Sequence, residues 1–319
     1  MLRIISTKLG FIFGGVCVGL LLTEIGSRLF LPSAFHADFL LQYPTTQPQY
    51  EIDEELGYRP KFFGELLYTD LGFTFKTSLI FPDAEKKILF IGDSVVRRGR
   101  IQRALSESYS GKKWDYLNGA VEGYDVVQEV GYFFRYLKDL KVQRIVLEFH
   151  NNDLLYFPMA YLTSTRSAFW YVPGEKTFPI SLDLFRISDL YRHWCAWNYF
   201  KLLNTAKKKN SLVPDTKVAL QKLKSWAEER NIPLQVFVFP VLRPYNQWQE
   251  EEKESRKQSL QMLRKLNIQH YDLLESLGPA LKKGTPLTED NQEDYWHPND
   301  EAAKIFATYL KSKGIFDRW

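Results

Sequence analysis

The run Lys87-Ile88-Leu89-Phe90-Ile91-Gly92-Asp93-Ser94 constrains this chain more than any other stretch, because its apolar residues break abruptly into glycine, an acid and a hydroxyl. Near-continuous hydrophobic runs closed by turn residues are how the buried strands of parallel sheets read. Ser94 therefore stands just beyond a strand's carboxyl end, the edge at which open α/β sheets bind ligands. Alone, Gly-Asp-Ser is an ordinary strand-ending turn. The remainder of the chain gives it meaning.

Beyond Ser94 the sequence alternates. Residues 99–110 read as a helix, 114–118 as a short strand, 126–140 as a helix and 142–150 as a second apolar strand. After an interruption, 216–230 is helical by its lysine and leucine spacing, 234–239 is a β-rich run closed by Pro240, 250–266 is a helix, 268–273 a strand and 299–312 a final helix. Strand and helix in alternation predict an α/β fold, a parallel sheet with helices on both faces. The 319 residues, 45% hydrophobic and 25% charged, supply one sizeable core. A formal charge of +4, with lysines and glutamates mixed along the helices, argues against nucleic acid as a partner. Cys17 and Cys195 are the only cysteines and Cys17 lies in the apolar N-terminus, which leaves no disulfide within the main domain and no cysteine-based metal site.

The N-terminus reads as an address. No side chain from Leu9 to Thr23 is charged, Arg3 and Lys8 precede this run, and Glu24 and Arg28 come directly after it. About fifteen helical residues reach only about 22 Å against a hydrocarbon core of roughly 30 Å. Lys8 closes the gap by snorkelling, which recruits Ile4 and Ile5, and Glu24 can pair with Arg28 one turn on. A cleaved secretory signal is the alternative, but no small-x-small cleavage site comes after the run. Residues 1–31 are read as an uncleaved transmembrane anchor with a cytoplasmic N-terminus, which places the rest of the chain on the outer side. Residues 32–86 are read as a connecting segment, with a proline-bearing stalk at 42–49 and an apolar stretch at 58–81 that packs on the main domain. Residues 87–319 form that domain, interrupted at about 154–210 by an aromatic insert read as helical and placed to roof the site.

The polar ends of the strands carry the chemistry. One strand ends at Ser94, the next at Asn118-Gly119-Ala120-Val121-Glu122-Gly123, and the third at His150-Asn151-Asn152-Asp153; Asp294-Tyr295-Trp296-His297 comes just before the final helix. An ester hydrolase needs a nucleophile, a base, a group that orients the base and donors for the oxyanion. Ser94 offers the hydroxyl, His297 the imidazole, and Asp294 a carboxylate close enough in sequence to fix its tautomer. The backbone N–H groups of Ser94 and Gly123 and the side-chain amide of Asn152 are candidate oxyanion donors. His36, His193 and His270 have no matching acid or serine block and read as structural or surface residues. Lys207-Lys208-Lys209 reads as a solvated loop.

In these four blocks the chain resembles the SGNH hydrolase superfamily, also called GDSL esterases and lipases. Gly92-Asp93-Ser94, then Gly123, then His150-Asn151-Asn152-Asp153, then Asp294 to His297 occur in the family's order across residue 87 to the C-terminus. The resemblance implies a three-layer, flavodoxin-like sheet, a Ser94-His297-Asp294 triad and ester chemistry that needs neither metal nor cofactor. Two departures stand out. His150 replaces the family's usual glycine, and Arg97-Arg98 come after the serine where smaller or polar residues are common. Arg97 reads as part of a solvated helix start, with recognition of an anionic substrate as the alternative, and His150 as a residue beside the pocket. The leading expectation is a membrane-anchored, extracytoplasmic serine esterase that removes acetyl or short acyl groups from a cell-envelope polysaccharide. An O-acyltransferase with the same triad and a non-catalytic glycan-binding scaffold are the rivals.

Overall fold

The computed structural model describes residues 2–30, 50–60, 84, 86–112, 114–154, 159–164, 166–171, 178–208, 213–289 and 294–317. They belong to two compact units, Met1–Ile52 with Phe157–Lys209, and Asp53–Tyr156 with Asn210–Trp319. The proposed stalk at 42–49 and nearly all of 58–81 lie outside the described residues.

In chain order the elements are helix α1 (Leu2–Phe30), the short strands β1 (Tyr50–Asp53) and β2 (Gly57–Pro60), then β3 (Lys86–Ile91), α2 (Ser94–Arg97), α3 (Arg100–Ser108), β4 (Trp114–Asn118), α4 (Val126–Tyr132) and β5 (Arg144–Phe149). The insert contributes β6 (Met159–Ser164), β7 (Ser167–Tyr171), β8 (Phe178–Ser181), α5 (Leu182–Ile187) and α6 (Asp189–Lys208). The chain ends with α7 (Val213–Glu229), β9 (Leu234–Val238), α8 (Glu250–Lys265), β10 (Gln269–Asp272), α9 (Leu274–Lys282) and α10 (Asp300–Ser312).

Five strands of the second unit form one sheet in the order β10-β9-β5-β3-β4, every pairing parallel. Numbered by their succession in the chain and taken from the β4 edge this is 2-1-3-4-5, the flavodoxin-like doubly wound order. The side-chain period of two splits each strand between two cores. Ile88 and Phe90 of β3 pack into a cluster with Leu105 of α3, Leu277 of α9 and Phe306 of α10. Leu89 and Ile91 are equally buried and point to the opposite face. Near the end of α4 the chain widens into a π-turn at Phe133–Leu137, whose Phe133 ring stands edge-on to Trp226 of α7 at 4.8 Å.

The insert departs from the helical expectation. β6, β7 and β8 form a three-stranded antiparallel sheet ahead of the two helices. Ala168 and Trp170 of β7 and Ile180 of β8 pack with Phe185 of α5 and Cys195 of α6 in a small core of their own. Three consecutive aromatic residues of β7, Phe169, Trp170 and Tyr171, account for part of the aromatic composition that suggests a helix. The short α9 also has no clear signal in the sequence, because Gly278 and Pro279 sit inside it and both residues ordinarily punctuate helices. In α1 the side chains from Ile12 to Thr23 are exposed on all sides, and Ile12–Phe30 is long and apolar enough to cross a membrane. Tyr58 is fully buried, donating from its hydroxyl to the Glu122 carbonyl at 2.8 Å and standing edge-on to Tyr124.

Gly92 closes β3 where Glu148 of β5 crosses behind it. A Cβ at Gly92 would lie 2.7 Å from Glu148 Cβ and nearer still to Glu148 Oε2. Gly92→Ala is therefore expected to destabilise the fold by about 1–3 kcal/mol through overpacking. Denaturant unfolding of the variant checks this, and an unchanged midpoint would show that the contact relaxes freely.

Candidate active site

The residues singled out at the ends of the chain meet. Ser94 opens α2 directly after β3, with Asp93 as the cap whose carboxylate accepts the Val95 N–H. His297 lies in the loop before α10, where Asn299 caps the helix by accepting the Ala302 N–H. His297 Nε2 is 2.8 Å from Ser94 Oγ, and His297 Nδ1 is 2.7 Å from Asp294 Oδ2. With the carboxylate accepting from Nδ1–H, Nε2 is left as the acceptor for the serine hydroxyl. Asp294 also accepts the backbone N–H groups of Trp296 and His297 through Oδ1, at 3.0 and 3.1 Å. Burial pushes the Asp294 carboxyl up, but the Trp296 N–H and the charge and hydrogen bonds of His297 outweigh it and hold Asp294 below the usual aspartate range.

The loop after β4 runs alongside Ser94. The N–H of Gly119 donates to the Phe90 carbonyl and that of Val121 to the Gly92 carbonyl, at 2.7 and 2.9 Å. Gly123 comes next with a φ of 75°, left-handed backbone that glycine adopts without strain. Asn151–Leu154 forms a single 3₁₀ turn after β5, so the backbone of Asn152 begins where that strand stops. The Asn152 side chain lies outside the described residues. His150 is buried, its N–H donating to Asp153 and its ring edge-on to Trp296 at 6.5 Å.

The two arginines after the serine are bound to acids. Arg97 pairs with Glu122 and Arg98 with Glu289. Arg100, which nothing in the sequence distinguishes, pairs with Glu289 as well, donates to the Pro298 carbonyl at 2.9 Å and lies 3.3 Å from Asp300. It thus ties the start of α3 to the residue after His297. Of the remaining histidines, His193 lies 3.4 Å from Asp189 and His270 Nδ1 contacts the Ile268 carbonyl, both away from Ser94 in sequence and partners; His36 lies outside the described residues. Among the described residues no cluster of three or more histidines, cysteines or acids could hold a metal ion.

Behind the serine lies a group of buried acids that sequence reasoning does not single out. Asp93, Asp125, Glu129, Glu148 and Asp153 are all buried. Glu148 Oε2 accepts the Asp93 N–H at 2.8 Å, bracing the turn that carries Ser94. Burial is the main cause that pushes Glu129, Glu148 and Asp153 well above the ordinary carboxylate range, reinforced by their mutual repulsion. Burial also raises Asp125 to about 6, opposed by the N–H groups of Gln128 and Val127. Neither carboxyl oxygen of Glu129 has a hydrogen-bond partner among the described residues. The available signal is Glu148 itself, an acid inside an otherwise apolar strand.

No protein-family model matches the sequence, and a comparison with curated proteins finds no match. Solved structures do align. Axe2, an acetylxylan esterase from Geobacillus stearothermophilus, aligns over 72% of this chain and 95% of its own at 14% identity, with a TM-score of 0.47. LAE5, an alpha/beta hydrolase enzyme from the metagenome of Lake Arreo, Spain, aligns over 72% and 96% at 12% identity and 0.48. A member of the lipolytic protein G-D-S-L family from Veillonella parvula aligns over 73% and 99% at 13% identity and 0.43. What the present chain can do chemically rests on its own side chains: a hydroxyl, an imidazole and a carboxylate in hydrogen-bonded sequence can carry out acyl transfer.

The buried acids make stability depend on pH. The folded pKa values of Asp125, Glu129, Glu148 and Asp153 are raised, so the folded chain holds protons that the unfolded chain releases above the ordinary carboxylate range, near 4. Stability is fully present below that range and declines as pH rises through the raised values. The melting temperature is expected to fall as pH rises from the ordinary carboxylate range through the raised values, Asp125 at about 6 among them, and Glu129→Gln to flatten the fall. Thermal scans across that window test it, and an identical slope in the variant would remove Glu129 from the effect.

Proposed function

We propose that this chain is a serine ester hydrolase of the SGNH type, held to a membrane by α1 with its α/β domain on the extracytoplasmic side, and that it removes acetyl or other short acyl groups from a cell-envelope glycan. The observation that supports the reaction is the continuous hydrogen-bonded line from Ser94 Oγ through His297 to Asp294.

In the proposed reaction Ser94 Oγ attacks the ester carbonyl while its proton passes to His297 Nε2. The carbonyl π pair moves to oxygen, and the backbone N–H groups of Ser94 and Gly123 with the Asn152 amide are the proposed donors to that oxyanion. Collapse of the intermediate breaks the bond to the alcohol oxygen, which leaves with the proton from His297. Water then repeats the sequence on the acyl-enzyme, giving up a proton to His297 and releasing the acid. Asp294 stabilises the imidazolium formed in each half without taking the proton itself. Trp296, exposed beside His297, offers a flat apolar wall of the kind on which a sugar ring stacks.

Two outcomes are expected. A fluorophosphonate probe should label the full-length protein and leave Ser94→Ala unlabelled; equal labelling of both would move the nucleophile elsewhere, and labelling of neither would favour a binding scaffold. Asp294→Asn should lower kcat on model acetyl esters by about 10⁴-fold, the scale of losing the carboxylate that sets the histidine tautomer. A loss below tenfold would show that Asp294 does not orient the base.

A further inference from the structure

Helix α6 has more apolar surface than its own core uses. Cys195 is buried and Tyr191, Tyr199 and Leu202 pack against the small core formed with Trp170, Ile180 and Phe185. The other face presents Trp194, Trp197 and Phe200, which are 45%, 59% and 55% exposed, and Ile187, just before the helix, is 66% exposed. Large aromatic residues left open at helical spacing on a soluble surface mark a binding face.

Where α6 begins says what covers that face. The last turns of α1 are bonded to its first turn. Glu24 accepts the N–H groups of Asp189 and Leu190 at 2.8 and 3.1 Å and the Ser188 hydroxyl at 2.7 Å. Ser188 in turn accepts the Tyr191 N–H at 3.1 Å, and Arg28 donates both to Glu24 and to the Ile187 carbonyl. The donors that the start of a helix leaves unpaired are thus filled by a carboxylate from another helix. Glu24 is also the residue at which the uncharged run of α1 ends. The first turn of α6 is therefore bonded to the first charged turn of α1, the turn nearest the outer face of the bilayer in the anchor reading. Tryptophan is the residue that favours this boundary, an apolar ring with one polar N–H. Lys201 lies over the Trp197 ring at 5.1 Å, its charge on the same exposed side, where anionic headgroups would meet it.

We propose that α6 is an interfacial membrane element whose Trp194, Trp197 and Phe200 face sits in the headgroup–acyl boundary of the bilayer that α1 crosses. This rests on the anchoring of α1 proposed above. It makes the attachment of the insert two-sided, one helix through the bilayer and one along its surface.

The full-length protein is reconstituted in phosphatidylcholine–phosphatidylglycerol vesicles whose acyl chains are brominated near the headgroup, which quench tryptophan only on contact. Wild type is expected to lose fluorescence, and Trp194→Phe/Trp197→Phe, which keeps the face apolar, to lose less than half as much. Equal quenching of the two proteins, or none in wild type while the chain resists alkaline carbonate extraction, would overturn the interfacial face and leave the anchor standing. Blue-shifted emission from Trp194 and Trp197 without quenching would assign the face to a protein partner and overturn it equally. Release of the chain by carbonate would remove the anchor, and the proposal with it.

Discussion

A single hydrogen bond, between His297 Nε2 and Ser94 Oγ, joins residues 203 positions apart in the chain. Neither group would find the other without the sheet between them. β3 delivers Ser94 because an apolar strand ends at Gly92, and the His297 loop is drawn to the same edge by several attachments. Leu242, after β9, donates its N–H to the Tyr295 carbonyl at 2.7 Å, and Arg100 donates to the Pro298 carbonyl on the other side of the histidine. Because β9 and β3 both flank β5 in parallel, their carboxyl ends share one edge. The geometry of the site is thus a consequence of strand polarity, with arginine–acid pairs tying the adjoining loops together.

The parts of this arrangement that can be read from sequence are those in which one local rule acts alone. The strand at 114–118 and the helices over 250–265 and 300–312 result from apolar period and caps, with Asn299 a capping residue by type. The four polar blocks are visible because each interrupts an apolar run at its end. What escapes depends on distant partners. Arg100 looks like any helical arginine until Glu289 and Pro298 are beside it. β7 hides in an aromatic segment because Phe169, Trp170 and Tyr171 are consecutive and show neither period, and α2 is only one turn long. Glu24 and Arg28 are legible as a pair, which they are, but their larger role toward Ser188 and Asp189 lies beyond any local pattern.

The acids behind Ser94 set the charge on that side of the site. In the proposed reaction, attack on an ester builds negative charge on an oxygen next to Ser94, and ionised carboxylates at Glu148, Glu129 and Asp153 would oppose it in a region of low dielectric. Burial and repulsion among them raise their pKa values, which favours the protonated form of the acids that lie behind Ser94. Asp294 is the exception, and for a reason: backbone donors and His297 hold it ionised, opposite the position where positive charge develops. In the proposed reaction one carboxylate favours its charged form beside the imidazolium, while burial favours the protonated form of several others behind Ser94. The same division makes rising pH a stress on the fold, since releasing protons from the buried group leaves carboxylates repelling one another in the core.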